Sequence, residues 1–228
     1  MIPLYDTVHS RKFPLINLTL IVANVLAFLY ELQLEPSALE HFIFTWGLIP
    51  ANLIKDPTSA WITIFTAMFL HGGWFHILSN MWFLFIFGDN VEARIGGVRY
   101  LIFYLFSGAA AGLLQTYILP ASQVPMIGAS GAIAGVLGAY LILFPRSRIA
   151  SLVPIFFIFT IVEIPAMLFL IFWFVSQLYS GLFAIQGGGG SGIAWWAHIG
   201  GFAFGVIMVF FFRRRATSRI GSRREYDS

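Results

Sequence analysis

Long apolar runs, separated by short polar, basic or glycine-rich breaks, set the pattern of this chain. A helix needs roughly 20 predominantly apolar residues to cross the hydrocarbon core of a bilayer. Six segments have that character: Leu15–Tyr30, His71–Asp89, Tyr100–Leu119, Ile127–Phe144, Leu152–Phe183 and Trp195–Phe212. The pattern predicts an all-α membrane protein built as a bundle of six transmembrane helices. The stretch "SAWITIFTAMFL" (59–70) is also apolar but too short to cross alone. It reads as the end of a long outer loop, Leu32 to Leu70, lying partly in the membrane interface, a place that suits Trp46 and Trp61. The first run follows Arg11 and Lys12 as the apolar part of a signal peptide would. It is longer than such regions, contains Asn17 and Asn24, and ends in "FLYELQLEP" with no small-x-small cleavage site, so it reads as a retained span.

Composition narrows the class. Of the 228 residues, 59% are hydrophobic and only 10% charged, against about a quarter charged in soluble domains, and the mean hydropathy is +0.84. The chain has no cysteine, which excludes disulfides, thiolate metal sites and a cysteine nucleophile. A net charge of +3 could suit nucleic acid. The basic residues, however, stand at the ends of apolar runs, where topology determinants belong, so the expected partner is the lipid bilayer and not nucleic acid.

Charge also sets orientation. Arg11 and Lys12, Arg94 and Arg99, Arg146 and Arg148, and the six arginines after Phe212 all fall on one side of the six-span pattern, and only Lys55 falls on the other. By the positive-inside rule both termini are cytoplasmic. The expected division is a cytoplasmic segment over 1–14, the six-helix domain over 15–212, and a basic cytoplasmic tail over 213–228, "RRRATSRIGSRREYDS", drawn to anionic lipid. With no targeting presequence in view, the expected location is a prokaryotic plasma membrane.

Polar residues inside the spans are costly and usually face the bundle interior or a water-filled cavity. In the predicted topology Ser130 opens the fourth span at its outer end, His198 lies about one turn inside the sixth, and His76 and Asn80 project from one face of the second. Gly131, Gly135 and Gly138 on the fourth span and Ala197, Gly201 and Gly205 on the sixth form small-residue stripes that let two backbones approach closely. Packing on those stripes would bring Ser130 within hydrogen-bond reach of His198. A serine hydroxyl is a weak nucleophile until a base takes its proton. His198 is the candidate base, and His76, the Asn80 amide and the Ser130 backbone N–H are the candidate oxyanion donors. No carboxylate is placed to orient the histidine, since Asp89 and Glu92 lie at the inner end of span two, so a dyad is expected.

These residues resemble the motifs of the rhomboid intramembrane serine proteases: G-x-S-G at Gly128–Gly131, H-x4-H-x3-N at His71, His76 and Asn80, and A-H-x-x-G at Ala197–Gly201. The resemblance runs from the first span to the sixth. It implies a six-helix protease domain with a water-filled cavity opening outward, Ser130 as nucleophile, His198 as base, His76 and Asn80 at the oxyanion, transmembrane proteins as substrates, and no metal or cofactor. Gly128, Gly131 and His71 are expected to support the site, with His71 either positioning the loop before the helix or taking a direct part. Two positions depart from the family. Ala134 stands where an aromatic residue often stacks on the histidine, and Trp61 is followed by Ile62 where an arginine is often found.

Other chemistries fit these residues less well. A zinc site from His71, His76 and His198 lacks H-E-x-x-H and has its first pair five apart. A small transporter would show internal repeats. The main alternative is a catalytically weak or inactive relative that binds membrane clients. Glu163, read as mid-span in the fifth segment, is expected to be a protonated carboxyl bonded to a neighbouring helix, with Pro165 loosening its own. The resemblance also implies that this span acts as a lateral gate for the substrate, which would make Phe172, Trp173 and Phe174 gate residues, at least one of them simply facing lipid. The "GGGGSG" run (187–192) is expected to be a flexible outer loop.

Overall fold

The computed structural model describes residues 1–8, 12–155, 158–185 and 194–212. The glycine run at 187–192, Arg11 and the basic tail therefore lie outside the described residues. The chain begins with a strand, β1 (Ile2–Asp6), followed by helix α1 (Leu15–Glu31). Short helices α2 (Pro36–Trp46), α3 (Pro50–Lys55), α4 (Pro57–Ala60) and α5 (Thr63–Thr66) and a 3-10 turn (Ala67–Phe69) fill the segment expected to be a loop. Then come α6 (Trp74–Ile95), α7 (Gly97–Ile118), α8 (Ser130–Leu143), strands β2 (Arg148–Ile155) and β3 (Ile158–Pro165), α9 (Ala166–Ile185) and α10 (Trp195–Phe212).

Among the described residues, α7, α9 and α10 are each long and apolar enough to cross a membrane. A further candidate is the pair Pro57–Phe69 and Trp74–Ile95, bent by 81° at the break between them. Helices α1 and α8 are apolar but shorter, at 17 and 14 residues. Large apolar side chains stand exposed on the outer faces, among them Leu26 and Leu29 on α1 and Phe172 and Tyr179 on α9. That arrangement suits hydrocarbon, where backbone polar groups must be satisfied within the helix while apolar side chains face outward.

The expected fifth span, Leu152–Phe183, is corrected. Its first part is the β2–β3 hairpin, antiparallel along its length from Arg148↔Pro165 to Ile155↔Ile158, with β1 paired on the other side of β2. The fold is thus mostly helical rather than all-α, and part of the 1–14 segment belongs to the sheet. Physical reasons are visible in the residues. Ile, Val, Phe and Thr dominate 152–164, Pro154 would interrupt a helix interior, and Pro165 stands where α9 begins. Helix α9 covers about 30 Å in its 20 residues, enough for one crossing by itself. Glu163 is correspondingly not buried in mid-membrane; it is exposed on β3, opposite Ala150.

Polar groups pin the frame. The Glu92 carboxylate accepts from the backbone N–H groups of Ile16 (3.1 Å) and Asn17 (2.7 Å), taking up free donors at the start of α1, where no local side chain caps the helix. Asn17 donates to the Leu84 carbonyl and accepts from the Tyr100 hydroxyl. The sheet is tied to the bundle at the end of α8 away from Ser130, with Asp6 accepting from Asn90 on α6 and from the Tyr140 hydroxyl on α8.

Helix α8 runs through the centre, buried continuously from Gly131 to Tyr140. Its contact with α10 is made through glycines. A Cβ on Gly201 would collide with the Gly131 carbonyl oxygen, one on Gly205 with the Gly135 carbonyl oxygen, and one on Gly138 with the Phe202 carbonyl oxygen. The obstacles are backbone atoms, so the two helices lie at a separation that only glycine allows.

Candidate active site

Helix α8 begins at Ser130 rather than at Ile127, because the lead-in is held extended. Met126 exchanges backbone hydrogen bonds with Leu48, and Gly128 N–H donates to the Ala67 carbonyl at 2.8 Å. Gly128 has φ +119°, a region that L side chains rarely adopt, and a Cβ there would lie 2.6 Å from His76 Nε2. Both backbone conformation and space therefore require the first glycine of G-x-S-G. Gly131 has Ala111 of α7 against it, 2.6 Å from where a Cβ would stand.

Close glycine packing brings the nucleophile and base candidates together. Ser130 Oγ and His198 Nε2 are 2.7 Å apart. At 14 residues α8 is about 21 Å long, well short of the roughly 30 Å hydrocarbon core, so a helix of this length cannot carry its first residue from one surface to the other. A cavity of about 560 Å³ reaches the pair, with Met68, Phe75, His76, Asn80, Ser130 and His198 in its walls. Among the described residues the buried Asn80 Nδ2 has no hydrogen-bond partner, and an unpaired buried donor is expensive unless a ligand or reacting group uses it. His76 Nδ1 accepts from Gly72 N–H at 3.3 Å. In the neutral ring that leaves the proton on Nε2, the nitrogen facing Gly128. Asn80 and His76 are thus both donors directed at the G-x-S-G turn.

His71 stands one layer back. It is buried, packs edge-on against His76 with ring centroids 5.1 Å apart, and is not among the cavity-lining residues. Its backbone N–H donates to both carboxylate oxygens of Glu31, each at 3.2 Å. Glu31, the last residue of α1, was not singled out in the sequence because a carboxylate at the end of a span reads as a loop boundary. Glu31→Ala should destabilise the fold by about 1–3 kcal/mol through loss of a buried acceptor, read as a lower thermal midpoint in detergent.

Three residues surround the imidazole where Ala134 offers no ring. Ala134 is buried close to Gly201. From α9, Trp173 lies tilted over His198 with centroids 6.0 Å apart, and Gln177 Oε1 is 2.7 Å from His198 Nδ1. Trp195 of α10 approaches edge-on at 6.2 Å. Of the three candidate gate residues, Phe172 is exposed, Phe174 stacks on Phe202, and Trp173 serves the imidazole. Gln177 was missed in the sequence, although an amide within an apolar span is itself a signal of an inward-facing role.

This arrangement can move a proton from a hydroxyl to an imidazole beside donors suited to a developing oxyanion. Comparison of the sequence with known proteins gives the family. The Rhomboid domain family model covers residues 58–215, more than half of the chain. Rhomboid-like protein 11, chloroplastic, of Arabidopsis thaliana is 35% identical over 113 residues, which cover 50% of this chain and 40% of that protein. The putative rhomboid protease YdcA of Bacillus subtilis (strain 168) is 29% identical over 132 residues, 58% of this chain and 63% of the relative. Inactive RHOMBOID-like protein 8 of Arabidopsis thaliana is 31% identical over 137 residues, 57% of this chain and 37% of the relative. The chain thus spans between 37% and 63% of the length of these proteins. Their names include a chloroplast protein, so the expected prokaryotic plasma membrane gains no support from them. With its apolar helices, glycine-locked core and matching domain, this chain is an integral membrane protein belonging to the rhomboid family.

Proposed function

We propose that the chain is a serine endopeptidase that cuts transmembrane proteins near the outer face of the membrane. The observation that carries this reading is the 2.7 Å contact between Ser130 Oγ and His198 Nε2 at a cavity within the helical bundle. His198 takes the hydroxyl proton as Ser130 attacks the scissile carbonyl, and returns it to the leaving amine. The tetrahedral oxyanion accepts from Asn80 Nδ2, His76 Nε2–H and the Ser130 backbone N–H at the start of α8, where the helix dipole favours negative charge.

The reading includes the topology. Helices α1, α6, α7, α9 and α10, together with α8 and its lead-in from Ile127, are the six spans of a protease domain over 15–212, and both termini lie inside. Loop charge supports this, since of 13 basic residues only Lys55 falls on the other side of that pattern. Substrate segments should unwind easily, because a peptide bond within a helix is shielded by its own hydrogen bonds. Small residues at the cut and helix-breaking residues beyond it are expected.

The test uses purified protein in detergent with a model transmembrane substrate, comparing wild type with Ser130→Ala. Cleavage by the wild type alone is expected, and equal cleavage by both rejects the assignment. Asn80→Ala should lower kcat about 10²- to 10³-fold with KM little changed, as for loss of one oxyanion donor. A second reading, a weak or inactive relative that binds membrane clients, is favoured by the similarity to a protein named inactive. Client capture with no cleavage by folded wild type would select it.

A further inference from the structure

We infer that Gln177 is a positioning residue for His198, holding its ring in the one neutral tautomer that can accept the Ser130 proton. This rests on the proposed Ser130–His198 chemistry and adds a third member, supplied by a third helix.

The short contact from Ser176 to the Trp173 carbonyl favours one direction for the hydrogen bonds around Gln177. The Ser176 hydroxyl donates to the Trp173 carbonyl at 2.6 Å, so its single proton is committed. Ser176 Oγ is therefore an acceptor toward Gln177 Nε2, 3.1 Å away. That fixes the amide: its NH2 faces Ser176 and its Oε1 faces His198 Nδ1 at 2.7 Å. A flipped amide would set its oxygen against a hydroxyl with no proton left to give. An amide oxygen only accepts, so Nδ1 must carry the imidazole proton. Nε2 is then left with its lone pair toward Ser130 Oγ, and the serine hydroxyl donates to it. The donor-to-acceptor chain runs from Ser130 through His198, Gln177 and Ser176 and ends on the accepting Trp173 carbonyl. In the reaction the serine proton moves to Nε2, giving an imidazolium whose Nδ1–H still donates to the same amide oxygen.

The setting agrees with this role. Helix α9 is largely exposed and apolar, and Gln177 is the one polar side chain among its buried residues. A polar group at that depth is costly unless it has a partner. Trp173, four residues earlier on the same face of α9, covers the ring that Gln177 orients. One helix thus supplies both the cover and the acceptor, where the family's usual aromatic position on α8 is Ala134.

The test separates a hydrogen-bond acceptor from a packing group. Gln177→Met matches length and volume but has no amide acceptor, whereas Gln177→Glu keeps an oxygen at the same reach. With a transmembrane substrate, Gln177→Met should lower kcat on the order of 10²-fold with KM within about twofold, and Gln177→Glu should retain most of the activity. Nitrogen-15 NMR of His198 reads the tautomer directly: the wild type should carry its proton on Nδ1, and Gln177→Met should show a mixture. A proton on Nε2 in the wild type would overturn the inference. So would full kcat in Gln177→Met, or equal loss in both variants while folded. If instead Ser130→Ala cleaves as well as wild type, the protease reading fails, while the nitrogen signature still reports on Gln177.

Discussion

Replacing His198 by alanine is expected to abolish cleavage as completely as Ser130→Ala does, by about 10⁴-fold or more, and the double variant should lose nothing further. Non-additivity is the informative part. The 2.7 Å contact makes the hydroxyl and imidazole one chemical unit, because the serine is a competent nucleophile only while the imidazole takes its proton. Once either is gone, the other has no partner and its removal changes little. Substrate binding should survive in all three variants, since the cavity walls are otherwise intact. Rate constants for the two single variants and the double variant on one substrate test this, and independent, multiplying losses would show that the two side chains act separately.

Gly205→Val should be the most damaging substitution remote from the chemistry. A Cβ on Gly205 meets the Gly135 carbonyl oxygen and lies 2.7 Å from the Gly135 carbonyl carbon and 2.8 Å from its Cα. No flexible side chain is available to move, so α10 must separate from α8. The same two helices carry His198 and Ser130, and a misplacement of about 1 Å at reacting groups typically costs on the order of 10²-fold in rate. A clear fall in thermal midpoint together with a loss of at least that size is expected. Gly181→Ala is the milder comparison: its nearest neighbours would be 3.3–3.5 Å away, all side-chain atoms that can shift by a few tenths of an ångström, and both losses should be much smaller than for Gly205→Val.

The closeness of Ser130 and His198 was legible because three spans each held a polar residue at a matching end, and the glycine stripes showed which two helices could come close. Both are local patterns, and Gly131, Gly135, Gly201 and Gly205 meet in the structure as that spacing suggests. The β2–β3 hairpin was not legible. A continuous apolar run looks alike as a buried helix or a strand, and Leu152–Phe183 contained both. Only Pro154 and Pro165, with the β-branched residues between them, hinted at the division. Glu31 and Gln177 escaped for another reason: their significance lies in partners far along the chain, the His71 backbone and the His198 ring. A lone acid at a span end or a lone amide in an apolar helix does not name its partner. Ala134 shows the reverse case, a missing aromatic noticed in the sequence whose place is taken by Trp173 of another helix.

The central claim is that Ser130 is made nucleophilic by His198. Labelling with a fluorophosphonate probe followed by peptide mass mapping measures this most directly, with no substrate required. Modification at Ser130 in the folded wild type, falling to background in folded His198→Ala, is the predicted result. Labelling that persists undiminished without the imidazole, or that falls on a different serine, would contradict it.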